Sequence, residues 1–229
     1  MRVALVTVGD ELLAGETADT NAAWLGRQLA DRGVEVERVT TLPDRVSDIA
    51  RVVNEYRAEY DAVVVTGGLG PTHDDLTMEG IAAAFGRETV ENEAALEYLE
   101  DRGYARTDLA EGTADLPAGA EMLPNPEGVA PGCVLDSVYV LPGVPDEMRA
   151  MFEAIADRFE GESRHVATVE AAEPESALVD RLAGLRNQFD VQVGSYPGDP
   201  VTVRLRGTDE STVRAAAEWL RARVDSPTG

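Results

Sequence analysis

The stretch Val63-Val-Val-Thr-Gly-Gly-Leu-Gly-Pro-Thr-His-Asp-Asp-Leu-Thr77 restricts the fold more than any other part of the chain. Val63, Val64 and Val65 predict a strand buried on both faces, because an unbroken β-branched run suits the interior of a parallel sheet. Gly67, Gly68, Gly70 and Pro71 then break the strand. Two adjacent carboxylates follow, Asp74 and Asp75, and residues 76–85 read as a helix. Open α/β sheets build ligand crevices from this unit of buried strand, glycine turn and helix start. Glycines let the backbone approach an anion, and N–H groups at a helix start favour negative charge. Glycines also make turns that bind nothing, and one acid could simply cap the helix. Two acids after three glycines and a proline exceed what a cap requires. They suit a metal ion or a water better than a bare phosphate, which they would repel.

The same junction recurs along the chain. Val3 to Val8 reads as a first strand and runs into Gly9, Asp10 and Glu11. Asp19 or Thr20 starts a helix whose face is Ala22, Leu25 and Leu29, and Gly33 stops it. Val34 to Thr41 is a second strand, leading to Asp44, which reads as a turn aspartate able to face the same crevice. Val46, Ile49 and Val53 mark the next helix. Strand and helix alternating at this spacing predict an α/β fold with a doubly wound, mostly parallel sheet. Residues 91–102 predict a charged helix, and 103–119 read as irregular and polar. Asn125, Pro126, Gly128, Pro131 and Gly132 make a rigid loop in which Asn125 is placed to bond a ligand edge. A hairpin-like pair follows, Cys133–Leu135 and Val138–Leu141. Pro142, Gly143 and Pro145 form another tight strand-to-helix turn, with a helix expected from Asp146 to Phe159. Its first-turn acids, Asp146 and Glu147, are favoured by the helix dipole.

A boundary falls near residues 160–163, giving domains 1–162 and 163–229. The second reads as a small α+β module. Val201, Val203 and Leu205 alternate with Thr202, Arg204 and Arg206, so its sheet has one polar face.

Composition excludes several classes. The net charge is −23, and the 20 basic residues are all arginine. An acidic, lysine-free surface suits a protein kept soluble in concentrated salt, so a halophilic source is expected. No basic run offers a face for nucleic acid, so none is expected as a partner. Cys133 is the sole cysteine, which excludes an intrachain disulfide. No apolar run reaches the ~18 residues of a membrane span, and the N-terminal run lacks a leader pattern, so neither membrane association nor export is expected and the cytoplasm is the expected location.

The run Thr66-Gly-Gly-Leu-Gly-Pro-Thr-His-Asp-Asp-Leu-Thr77 resembles the signature of the CinA-like branch of the molybdopterin-binding family of MoaB and MogA type. Gly9-Asp-Glu-Leu-Leu13 with Asp19-Thr-Asn21, Leu123-Pro-Asn-Pro-Glu-Gly-Val-Ala-Pro-Gly132 and Leu141-Pro-Gly-Val-Pro-Asp-Glu-Met148 agree with it, in the family's order. The resemblance implies the MogA-like sheet, a KH-like C-terminal module without the Gly-x-x-Gly loop that RNA binding needs, and a homo-oligomer. It places Thr66, Pro71 and Thr72 at the ligand, supports Asp44, and turns Glu147 towards the crevice. Longer CinA proteins carry a nicotinamide mononucleotide deamidase domain that is not expected here. The family usually has an Asn- and Lys-containing segment before an Ala-x-x-Pro. This chain has Leu109-Ala-Glu-Gly-Thr-Ala-Asp-Leu-Pro117, with no basic residue, leaving Arg102 and Arg106 as substitutes to be placed.

The expected ligand is small and phosphorylated, a nucleotide or a pterin. Gly67, Gly68, Gly70 and Gly143 would offer N–H groups to phosphate oxygens. Asp75, with Asp74 or Glu147, would hold a divalent ion such as Mg²⁺, Mn²⁺ or Co²⁺. Asp75 and Asp74 are the catalytic candidates, while His73 is incidental. Two functions follow: hydrolysis of ADP-ribose- or FAD-like pyrophosphates to AMP and a second monophosphate, as the resemblance implies, or binding of molybdopterin without turnover.

Overall fold

The computed structural model describes residues 1–70, 75–162 and 164–227. It divides into two compact units, Met1–Gly161 and Glu162–Gly229.

The first unit opens with β1 (Arg2–Val8), a short helix α1 (Asp10–Leu13), α2 (Thr20–Asp31) and β2 (Glu35–Leu42). Then come α3 (Val46–Glu59), β3 (Ala62–Gly67), α4 (Thr77–Ala84), β4 (Thr89–Glu91) and α5 (Glu93–Asp101). β5 (Asp115–Pro117), β6 (Glu121–Leu123), β7 (Gly132–Leu135), β8 (Val138–Pro142) and α6 (Pro145–Ile155) complete it. The main sheet has the order β2-β1-β3-β8-β7-β6. β2, β1, β3 and β8 are parallel, and the β7–β8 hairpin and β6 add antiparallel pairs at one side.

Residues of β1 and β3 sort alternately to the two faces, as a period of two requires. Ala4, Val6, Val8, Val63 and Val65 pack with Ile49, Val53, Ile81 and Leu99 of α3, α4 and α5. Val3, Leu5, Ala62 and Val64 pack with Leu25 and Leu29 of α2 and with Met148, Met151 and Phe152 of α6. Both faces are covered, which is why the valine run carries no alternation.

Helix ends follow local chemistry. Asp19 Oδ1 accepts the Ala22 N–H at 2.8 Å and starts α2. Gly33, at φ +73°, leads the chain out of it in a conformation that favours glycine. The last helix of the unit is shorter than expected: α6 ends at Ile155, and residues 156–158 tighten into a 3-10 turn. The segment read as wholly irregular holds β5, which pairs antiparallel with β4.

The second unit has β9 (His165–Ala171), α7 (Glu175–Gln188), β10 (Gln192–Tyr196), β11 (Val201–Gly207) and α8 (Glu210–Arg221). Its antiparallel sheet, β10-β11-β9, buries Val201, Val203 and Leu205 against Leu178, Leu185, Val213 and Leu220. Among the described residues no helix is long and apolar enough to cross a membrane.

Candidate functional site

The order β2-β1-β3 places the reversal of strand order at the carboxyl ends of β1 and β3, where open α/β sheets bind ligands. A cavity of about 700 Å³ lies there. Gly9 enters from the end of β1, Asp44 from beyond β2, Gly67, Gly68, Gly70 and Asp75 from the turn after β3, and Pro142, Gly143 and Glu147 from the β8–α6 junction.

The glycines are needed for close approach. A Cβ on Gly67 would lie 2.4 Å from Thr77 Oγ1, and one on Gly143 would touch the Gly67 backbone at ordinary van der Waals distance, 3.4 Å. The two strand-end turns therefore meet backbone to backbone. A Cβ on Gly68 would be 1.7 Å from Asp75 Oδ1, and one on Gly70 would be 2.9 Å from Oδ2. The Asp75 carboxylate is thus folded back over the turn, and the cap position of α4 is Leu76 instead. Gly9 stands in the same relation to Glu11, whose Oε1 lies 2.5 Å from where a Cβ would be.

Four carboxylates line the cavity: Glu11, Asp44, Asp75 and Glu147. Asp44 accepts the Asp10 N–H at 2.9 Å. Burial pushes its carboxyl above the usual aspartate range, the Asp10 N–H opposes this, and the charges of Asp10, Glu11 and Asp75 push it further up. Glu147 Oε2 accepts from Asn125 Nδ2 at 2.6 Å.

The remaining sequence-predicted residues lie elsewhere. Asp10 is not among the lining residues and contributes its backbone N–H to Asp44. Thr66 and Pro145 border a separate, smaller hollow with Asn21, and Pro131 borders another beside Asp75. Asn125 is wholly buried and serves the loop and Glu147 rather than the open cavity. Pro126, Gly128 and Gly132 are also outside the main lining. Pro71, Thr72, His73 and Asp74 lie outside the described residues.

Sequence reasoning missed one wall. Tyr104, Leu109, Ala110 and Thr113 come from the segment read as polar, and Val129, Ala130 and Val144 face them from the loops. The isolated Tyr104 and Leu109 in an otherwise polar run were the available signal. Arg102 and Arg106 do not replace the missing lysine in the lining. Arg106 pairs with Glu91, and Arg102 donates to loop carbonyls. Among the described lining residues there is no cation.

The oxygen-only donor set suits a hard divalent cation. Among the described residues no group of three or more His, Cys, Asp or Glu is arranged to hold one. A cation at Asp75 or Glu147 would therefore draw the rest of its shell from water or from a bound ligand.

Comparison with known proteins agrees with this fold. The family model described as "Probable molybdopterin binding domain" matches residues 4–161. A protein of Archaeoglobus fulgidus is 38% identical over 220 residues, covering 95% of this chain and 96% of that one. A CinA-like protein of Frankia casuarinae is 39% identical over 254 residues, covering 99% of this chain and 58% of its own length. The crystal structure of CinA from Thermoplasma acidophilum, a protein of unknown function, superposes with a TM-score of 0.64 at 35% identity, over 70% of this chain and 99% of that one. The chain belongs to the family of the probable molybdopterin binding domain, in its CinA-like branch.

Proposed function

We propose that the chain is a metal-dependent nucleotide pyrophosphatase that cleaves ADP-ribose- or FAD-like dinucleotides to AMP and a second monophosphate. The observation that carries this reading is the meeting of two glycine turns, at Gly67–Gly70 and Gly143, with Asp75 folded onto the first of them in a cavity of about 700 Å³. Glycine turns accommodate phosphate oxygens at contact distance, and the acid beside them is placed for a water rather than for the phosphate itself.

In this reading the backbone of Gly67, Gly68, Gly70 and Gly143 holds the pyrophosphate. The apolar wall of Tyr104, Leu109, Val129 and Val144 takes the base or other planar group and keeps water from it. Asp75 orients the attacking water and accepts its proton. The water oxygen bonds to one phosphorus as the bridging P–O bond breaks, and the bridging oxygen leaves on the second phosphate. A divalent ion, when bound, neutralises phosphate charge that no arginine of the described lining meets.

The test is AMP release. ADP-ribose or FAD is supplied with Mg²⁺, Mn²⁺ or Co²⁺ in concentrated salt, which an acidic, lysine-free surface suits, and products are resolved by chromatography. AMP from the wild type and none from Asp75→Asn supports the reading; no AMP with any metal, from folded protein, rejects it.

The second reading is a molybdopterin-binding protein without turnover. The family's description favours it. Tight metal-independent binding of molybdopterin, with no AMP released, would establish it.

A further inference from the structure

We propose that Arg102 and Tyr98, which do not line the cavity, are positioning residues that set the Glu147 carboxylate through the 125–130 loop. The inference rests on the reading of the cavity as the working site, and its test separates the two.

The loop Asn125-Pro-Glu-Gly-Val-Ala130 lies between β6 and β7. Tyr98 of α5 and Arg102, the residue that caps its C-terminus, supply partners for its carbonyls from 23 to 27 residues away. Arg102 Nη1 donates to the carbonyl oxygens of Asn125 and Gly128, each at 2.6 Å, and Nη2 donates to that of Pro126 at 3.2 Å. The Tyr98 hydroxyl donates to the Asn125 carbonyl at 2.7 Å, and Arg102 Nη1 donates to that hydroxyl at 3.0 Å. Three carbonyls and a phenol oxygen thus converge on one planar fork. A lysine ammonium, a point charge on a flexible stem, does not reproduce that geometry.

The loop transmits this order through Asn125. Its Oδ1 accepts the Gly128 N–H at 2.9 Å, and its Nδ2 donates to the Ala130 carbonyl at 2.9 Å and to Glu147 Oε2 at 2.6 Å. Both ends of the buried amide are occupied, so its orientation is determined. A Cβ on Gly128 would lie 2.1 Å from Glu147 Oε2, so the loop backbone and the carboxylate are in contact. A shift of the loop must move Glu147. With Oε2 committed to Asn125, Oε1 is the oxygen left for a ligand in the cavity. Arg102 accordingly acts on the site without touching it.

The test uses Arg102→Lys, which keeps the charge, together with Tyr98→Phe, Glu147→Ala and the Arg102→Lys/Glu147→Ala double variant of the full chain. Two readouts are taken: AMP release from ADP-ribose, and the Asn125 side-chain amide resonances in a nitrogen–proton correlation spectrum. Arg102→Lys is expected to lower kcat by about 10²-fold with KM little changed, the scale of a roughly 1 Å misplacement. In the Glu147→Ala background it is expected to do nothing further. The Asn125 amide resonances are expected to move in Arg102→Lys and, less, in Tyr98→Phe, towards their position in Glu147→Ala. Equal losses in both backgrounds, or an unmoved Asn125 resonance in folded Arg102→Lys, would overturn the proposal. A wild type that releases no AMP overturns the reading of the site alone, because the Asn125 resonances still decide the positioning role.

Discussion

Asp75 Oδ1 occupies the space that a β-carbon at position 68 would need, 1.7 Å away, while the Asp75 β-carbon stands 3.2 Å off. The overlap is with the end of a side chain and not with the backbone, so it can be relieved by moving the carboxylate. Gly68→Ala is therefore expected to displace the Asp75 carboxylate and to lose about 10²-fold in AMP release, the scale of a 1 Å misplacement of a reacting group. Activity and thermal melting measured on the same preparation check this. Wild-type activity in Gly68→Ala would remove the role given to Asp75.

Gly80 presents the opposite case. A β-carbon there would lie 2.5 Å from Ile49 Cγ2 and 2.6 Å from Ile49 Cβ. Ile49 is wholly buried in the core between α3 and α4, and its Cβ cannot retreat without moving α3. Alanine would add up to about 1 kcal/mol of helix propensity, but overpacking a tight core costs about 1–3 kcal/mol. The packing cost wins. Gly80→Ala is expected to lower stability by about 1–2 kcal/mol, read from the denaturation midpoint.

The contrast between these two glycines shows what the sequence makes legible. Gly68 sits among turn-forming residues after an unbroken valine run, so its place at a strand end can be read locally. Likewise Asp19 before α2 and the Val201–Arg206 alternation give their elements directly. Gly80 lies inside helical sequence, and its reason is a single isoleucine 31 positions earlier. Partners remote in sequence also explain the other gaps. β4 and β5 are three residues each and exist through pairing with one another. Asn125 reads as a ligand contact because its polarity is visible, while its burial and its bond to Glu147 depend on how α6 packs. Arg102 offers no motif, since its partners are backbone carbonyls that any sequence would supply. The Tyr104–Thr113 wall lacks periodicity and takes its form from the cavity it borders.

Cys133 is wholly buried in β7, its Sγ 3.7 Å from Met78 Sδ, and burial pushes its thiol up to about 12. The thiolate is the reactive form. Native protein at pH 8 is therefore expected to resist iodoacetamide, and denatured protein to take up one equivalent. Rapid labelling of the native state, followed by mass spectrometry, would contradict the packing of β7 against α4.

Asp44 gives a pH dependence whose sign is fixed by its surroundings. Burial and the charges of Asp10, Glu11 and Asp75 raise its folded pKa, despite the bond from the Asp10 N–H. An unfolded aspartate titrates near ~3.9. The folded state thus holds the proton more tightly, so this contribution to stability is full below the unfolded value and is lost as pH rises through the folded one. At neutral pH the ionised carboxylate opposes folding. Asp44→Asn carries no charge at any pH and keeps an oxygen to accept the Asp10 N–H. It is expected to melt at a higher temperature than wild type at pH 7, with the difference shrinking as the pH falls towards ~4. Added salt should reduce the part owed to neighbouring charges and leave the part owed to burial. Melting curves of both proteins across pH and salt test this; a variant less stable than wild type at pH 7 would mean that another interaction of the ionised carboxylate outweighs the cost of burying it.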